Sequence, residues 1–168
     1  MDFEKLIPGI IGAFVGVVGW LLVGLYIQRR QFVRQARNAA RAVYFELDVN
    51  RLGVEVARDF GSFTPLNRSS FERLLPELAM LLPPGELRTI VAAYMSHAGY
   101  QQVASHEGLP PAIRRQALGA ILDAHREALD IVRRRAFSPD EIKGLEANAE
   151  EATAGAGSVE EPGMSAPR

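Results

Sequence analysis

An all-α chain is predicted: one N-terminal transmembrane helix running on into a small cytoplasmic helical bundle, followed by a disordered C-terminal tail. Three observations predict it. No charged residue stands between Lys5 and Arg29. Beyond Arg29, apolar residues recur at steps of three and four, which is the helical period. No stretch alternates with period two over β-branched residues, so no strand is expected.

The uncharged stretch Leu6 to Gln28 holds 23 residues, about 34 Å of helix against a hydrocarbon core of ~30 Å. A cleaved secretory signal is not the expectation. The chain opens with Asp2, Glu4 and Lys5 rather than a basic cluster, and the apolar run ends on Gln28-Arg29-Arg30, so an uncleaved signal-anchor is expected instead. Lysine and arginine near a span stay on the cytoplasmic side. Arg29, Arg30, Arg34, Arg37 and Arg41 follow the stretch and only Lys5 precedes it. The expected placement is the inner membrane, single-pass, N-terminus outside and helical domain cytoplasmic. The five arginines are read as topology determinants touching lipid headgroups, each contributing about 1 kcal/mol near an anionic leaflet.

Gly9, Gly12, Gly16 and Gly19 follow steps of three, four and three, which keep them on one face of a helix. Glycine weakens a helix relative to alanine. A line of it is therefore read as a helix interface allowing close approach of a second helix.

No proline occurs between Gly9 and Pro65, so the helix is expected to continue to Phe60. Ala36, Ala40, Val43, Leu47, Asn50, Val54 and Ala57 make a heptad seam on it. Packing of that seam on the chain's own domain is favoured over a parallel coiled coil, because alanine-rich seams pair weakly. Gly53 is its soft point. A loop follows at 61–69. Ser69 and Glu72 have the spacing of a capping box, opening a helix in which Pro76 marks either a kink or a restart. Leu82-Pro83-Pro84-Gly85 and Gly108-Leu109-Pro110-Pro111 break the chain twice, each leaving proline in the first turn of the next helix. Ser138, Pro139 and Glu141 form a strong helix start. The resulting organisation is a stub at 1–5, the membrane helix at 6–28, a basic helix at 29–60, the loop, a helical domain at 70–136 (helices at about 70–82, 84–106 and 111–136), a short helix at 138–150, and a tail at 151–168 rich in Ala, Gly, Ser, Pro and Glu, a composition that stays disordered.

Composition excludes several chemistries. There is no cysteine, so disulfides, thiolate metal sites and cysteine nucleophiles are out. The net charge of −1 speaks against a globally basic nucleic-acid binder. His97, His106 and His125 are 9 and 19 residues apart, with no two one turn apart to make a helical metal pair. Asp123 and Glu127 share a face with no histidine between them on it. Ser96-His97 and Ser105-His106 lack an orienting third group. Arg133, Arg134 and Arg135 end a helix whose dipole favours cations, and that is the favoured reading; contact with an acidic partner, such as the chain's own tail, is the sharper one. No catalytic, cofactor-binding or metal site and no small-molecule substrate is expected. A cleft lined by Tyr94, His97, Asp123 and His125 would reopen an enzymatic reading.

The glycine-rich stretch, the abrupt Gln28-Arg29-Arg30-Gln31 and the run Ala39-Ala40-Arg41-Ala42-Val43-Tyr44-Phe45-Glu46-Leu47 with Asn50 resemble uncharacterised single-span proteins of bacteria and their phages. The resemblance covers about the first 60 residues and implies no activity. The expected function is a membrane-anchored, non-enzymatic interaction or scaffold protein, partnered by the bilayer and by itself or another membrane protein. The alternative is a small membrane-perturbing or channel-forming protein of the phage lysis or toxin kind, a reading weakened by the absence of polar residues inside the stretch and by the size of the helical domain.

Overall fold

The computed structural model describes the backbone of residues 3–106 and 108–156, and the side chains of residues 12, 14–106 and 108–147. Five helices account for the fold: α1 (Phe3–Phe60), α2 (Ser69–Leu81), α3 (Pro84–Ser105), α4 (Pro111–Ala136) and α5 (Pro139–Ala156). Among the described residues there is no strand.

Helix α1 has 58 residues, about 87 Å of unbroken helix. Its C-terminal half is the strut of a bundle, packed chiefly on α4 and α2, while α3 lies on α4. The seam Ala36, Ala40, Val43, Leu47, Asn50, Val54 and Ala57 is buried throughout, so it serves the chain's own domain. One core cluster joins Val43, Leu47, Leu78, Ile90, Tyr94, Leu129 and Val132. A second joins Val54, Ala57, Tyr100, Leu118, Ile121 and Leu122.

The N-terminal half of α1 extends as an arm. Phe14 (70% exposed), Trp20 (79%) and every described large apolar side chain between them stand open. Among the described residues no helix is long and apolar enough to cross a membrane. The expected transmembrane helix at 6–28 therefore has no support. The signal-anchor reading and the single-pass, inner-membrane placement with N-terminus outside and helical domain cytoplasmic fall with it.

Two glycines are needed where they stand. Gly61 closes α1 with φ +69° and its N–H on the Ala57 carbonyl at 3.0 Å, the left-handed cap that glycine adopts freely. Gly53 lets the 61–68 loop lie against the helix: a Cβ there would meet Thr64 Oγ1 at 3.2 Å. The same loop is held by Asn50. Its Nδ2 donates to the Asn67 carbonyl at 2.6 Å and its Oδ1 accepts from the Asn67 N–H at 2.8 Å. Asn50 is thus a buried loop anchor, not a half-exposed residue of a seam. Asn50→Ala is expected to cost about 1–2 kcal/mol, the two hydrogen bonds made by a buried side chain. Faster proteolytic nicking within 61–68 is the check, and an unchanged cleavage rate would refute the anchor.

Local chain logic sets the remaining ends. Pro84 and Pro111 occupy the first helical position of α3 and α4, where a missing N–H costs nothing. The capping box on α5 forms: the Ser138 N–H donates to Glu141 Oε2 at 2.7 Å and the Glu141 N–H to Ser138 Oγ at 3.3 Å. Helix α5 continues to Ala156 rather than fading near 150; residues 157–168, read as tail, lie outside the described residues. Pro76 lies inside a continuous α2, so the chain neither restarts nor breaks there.

Candidate functional site

A line of buried polar side chains crosses the bundle: Glu46 on α1, Tyr94 and His97 on α3, and His125 on α4. It begins at the start of α2. The first N–H groups of any helix need outside acceptors. The expected local capping box is absent. Arg68, not Ser69, sits at the cap position and offers no side-chain bond, and Glu72 pairs with Arg68 instead. Glu46 performs the capping from a different helix. Its Oε2 accepts from the Ser70 N–H at 2.7 Å and its Oε1 from the Phe71 N–H at 3.1 Å, while the Tyr94 hydroxyl donates to Oε1 at 2.8 Å. Burial pushes this carboxyl's pKa up. The hydrogen bonds from Ser70, Tyr94 and Phe71 outweigh burial and hold it below the usual value. Glu46 is therefore an anion, 7% exposed, at the positive end of α2. Phe71 stacks on Tyr94 with ring centroids 4.1 Å apart, which fixes the tyrosine over the carboxylate. Burial, then Glu46 itself, pushes the Tyr94 hydroxyl well above its ordinary range, so it stays a donor.

His97 and His125 meet between the two core clusters. Their rings are parallel within 7°, with centroids 5.2 Å apart and Nε2 atoms 3.1 Å apart. Parallel rings whose edge atoms are this close at that centroid separation lie edge to edge rather than face on face, so one N–H points straight at one lone pair. The tautomers follow. His125 Nδ1 lies 2.8 Å from the Ile121 carbonyl, so it carries the proton and Nε2 is the acceptor. His97 then donates through Nε2, which leaves its Nδ1 a bare acceptor, and that atom is buried without a partner. Burial, helped by His125 and Arg68, lowers the His97 pKa to about 4, with Glu46 opposing. Burial likewise lowers that of His125, against the Ile121 carbonyl. Both are neutral near pH 7.

This arrangement holds elements together better than it moves protons. A general acid or base works best with a pKa near the operating pH, and His97 lies well below it. With the Nε2 atoms 3.1 Å apart and one of them protonated, the pair leaves no room for an ion between the rings. Among the described residues no group of three His, Cys, Asp or Glu side chains could hold a metal. Two surface grooves lie elsewhere. One, about 560 Å³, is lined by Phe45, Arg51, Arg126 and Arg133. The other, about 440 Å³, is lined by Val103, Leu109, Ile113 and Ile121. The structure therefore brings Tyr94, His97 and His125 together, but inside the bundle and without Asp123. That carboxylate is exposed and pairs with Arg126 at 3.4 Å. Ser96 Oγ and Ser105 Oγ donate to carbonyls of their own helix, at Ala93 and Gln102.

The other expected site residues separate into two groups. Gly12, Gly16 and Gly19 lie on the open arm, and a Cβ at any of them would meet nothing within 4 Å. Gly9 lies outside the described side chains. Arg29, Arg34 and Arg37 are exposed, and Arg30 lies 6.0 Å from the Tyr26 ring centroid. Arg41 is a bundle residue rather than a headgroup contact. Its Nε donates to the Ala136 carbonyl at 3.2 Å, its Nη2 to Glu141 Oε1 at 2.6 Å, and its guanidinium covers the Phe137 ring. It thus satisfies the end of α4 and the start of α5 together. With no bilayer-crossing helix among the described residues, the headgroup role of all five arginines loses its premise. Arg133 reaches Glu146 at 3.0 Å, the acidic-segment contact that its position left open, and Arg135 grips Glu86 of α3 with two bonds of 2.8 Å.

Sequence spacing could not find Glu46. Its partners lie 24, 25 and 48 residues away. One signal was present: Val43, Glu46 and Asn50 share a face, so an acid sits on the flank of the core seam. No family model, curated protein or solved structure matches this chain.

Proposed function

We propose that this chain is a non-enzymatic helical interaction module, in which the α1–α5 bundle is a rigid head and the N-terminal half of α1 is an arm that receives partner helices. The observation that carries this is the arm itself. A helix apolar on every face is covered by something in its working state, and here no other part of the described chain lies on Phe14 to Ile27. The glycine line supports the same reading. Gly12, Gly16 and Gly19 face open space, so the chain's own packing does not require them. They weaken the helix with no return inside the monomer, and a second backbone approaching closely is the return they allow.

The test is the assembly state of the purified full chain and of Gly12→Leu with Gly16→Leu, by sedimentation and chemical crosslinking. The leucines meet no neighbour in the monomer, so the head's circular dichroism stays unchanged. At least a tenfold loss of association is expected. An identical size distribution in the two proteins removes the glycine face from the interface, and a monomeric wild type that also captures no helical partner overturns the module reading.

A further inference from the structure

The buried seam of α1 has a counterpart on the helix's outer flank. Beginning at Phe14, the steps three and four lead through Val17, Leu21 and Gly24; then Gln28, Gln31, Gln35 and Asn38; then Ala42, Phe45, Val49, Leu52 and Val56. This is one heptad register held across six repeats, the spacing that turns a helix face toward another helix. Nine charged residues lie between Phe14 and Val56, and none of them falls on these thirteen positions. All thirteen positions are exposed except Ala42, which is partly covered; Val49 is 65% open. The core seam is satisfied by the bundle, and the outer line touches the head at Phe45, whose ring meets Phe137 edge-on, while the rest of the line stays largely open.

We propose that the outer line of α1 pairs with the same line of a second copy of this chain, the two helices parallel and in register. This rests on α1 being an association helix and adds a second face, opposite the glycine line, with its partner and its direction. Self-matching polarity identifies the occupant. Along the line four apolar or small positions are followed by four side-chain amides and then five apolar or small positions. A parallel copy sets apolar layers on apolar layers and each amide beside its twin, where it can both donate and accept. Amides inside such a seam fix register. An antiparallel copy would lay Arg34 and Arg41 near Glu55 and Asp48. That register would also set Gln31 against Val56, Gln35 against Leu52 and Asn38 against Val49, leaving buried amides unpaired. The carboxylates it would recruit are already engaged, since Arg51 holds both Asp48 and Glu55. The other antiparallel register, centred on the amides, would match Gln28 with Asn38 and Val17 with Val49 but bring Arg34 beside its own copy, like charge on like.

The chain has no cysteine, so single cysteines report contacts directly. Val49→Cys and Leu21→Cys in the full chain are oxidised beside Met95→Cys, an exposed position on the head. Disulfide dimer is expected to form from the two seam variants at least tenfold faster than from the Met95→Cys control. Val49→Glu is expected to separate the copies, and an equal mixture of Val49→Glu with Val49→Lys to restore them. Circular dichroism confirms that each head is folded, as substitution at an exposed position allows. Three results overturn the proposal. Dimers in which Gly16→Cys links fast and Val49→Cys does not put the contact on the glycine face, and the module reading survives. Linking of Val49→Cys only when mixed with Asn38→Cys or with Val17→Cys makes the pair antiparallel. A wild type that stays monomeric removes the seam pairing outright, whatever Gly12→Leu shows.

Discussion

Glu46→Ala is expected to cost the head about 3 kcal/mol. Losing a cap costs about 1 kcal/mol, and stranding the buried Tyr94 hydroxyl adds about 1–3 kcal/mol. At urea slopes of about 1–3 kcal/mol per molar, the midpoint should fall by roughly 1–3 M with little change in slope. Glu46→Gln keeps an acceptor for Tyr94 and is expected to lose only about 1 kcal/mol, the charge's share of the interaction with the α2 amides. The pair separates capping from charge. An alanine variant as stable as wild type would mean that α2 docks without Glu46. Acid should act in the same direction. The folded carboxyl has a lowered pKa, so its contribution is complete above the unfolded value near 4.5 and is lost as pH falls through the folded one.

The histidine pair gives the second large effect, at higher pH. The unfolded chain takes up a proton at His97 near pH 6.5, while the folded one waits until about pH 4. Between those values the unfolded state binds more protons, so stability is complete above about pH 6.5 and falls as pH drops. At about 1.4 kcal/mol per pH unit the loss is about 3 kcal/mol by pH 4. Denaturant curves for wild type and for His97→Phe with His125→Leu provide the check. The double variant should lose less than about 1 kcal/mol over the same range, because both buried histidines are gone and only carboxylates such as Glu46 begin to contribute near its acid end. His125→Leu alone should be worse than the double change at pH 7, since it strands the His97 Nε2–H beside an Nδ1 that already lacks a partner. Parallel pH profiles for all three proteins would show that the pair is hydrated or charged in the folded state.

What could be read from the chain alone was what short spacing encodes. The Leu-Pro-Pro breaks, the Ser138 cap and the core face of α1 each depend on residues within a turn or two of one another. Glu46, Asn50 and the histidine pair do not. His97 and His125 are 28 residues apart, and only the packing of α3 on α4 puts them edge to edge. The Ser69–Glu72 spacing misled for a physical reason: a trans carboxylate with two amides and a tyrosine out-competes a local one, and Arg68 was at hand to take Glu72. The expected membrane helix at 6–28 rested on the absence of charge over a length of chain, and among the described residues no helix is long and apolar enough to cross a membrane. The outer line of α1 was equally legible as spacing, but its exposure could be judged only once the other seam was seen buried.

Because α1 is a single helix from Phe3 to Phe60, it has no swivel between the open rod and the packed core. Advancing the grip on the rod by one residue turns it by about 100°, and the head must swing through the same angle. A partner seated at the far end therefore sets the compass bearing of the grooves and of every guanidinium on the head, transmitting torque over tens of ångströms without any change in their chemistry.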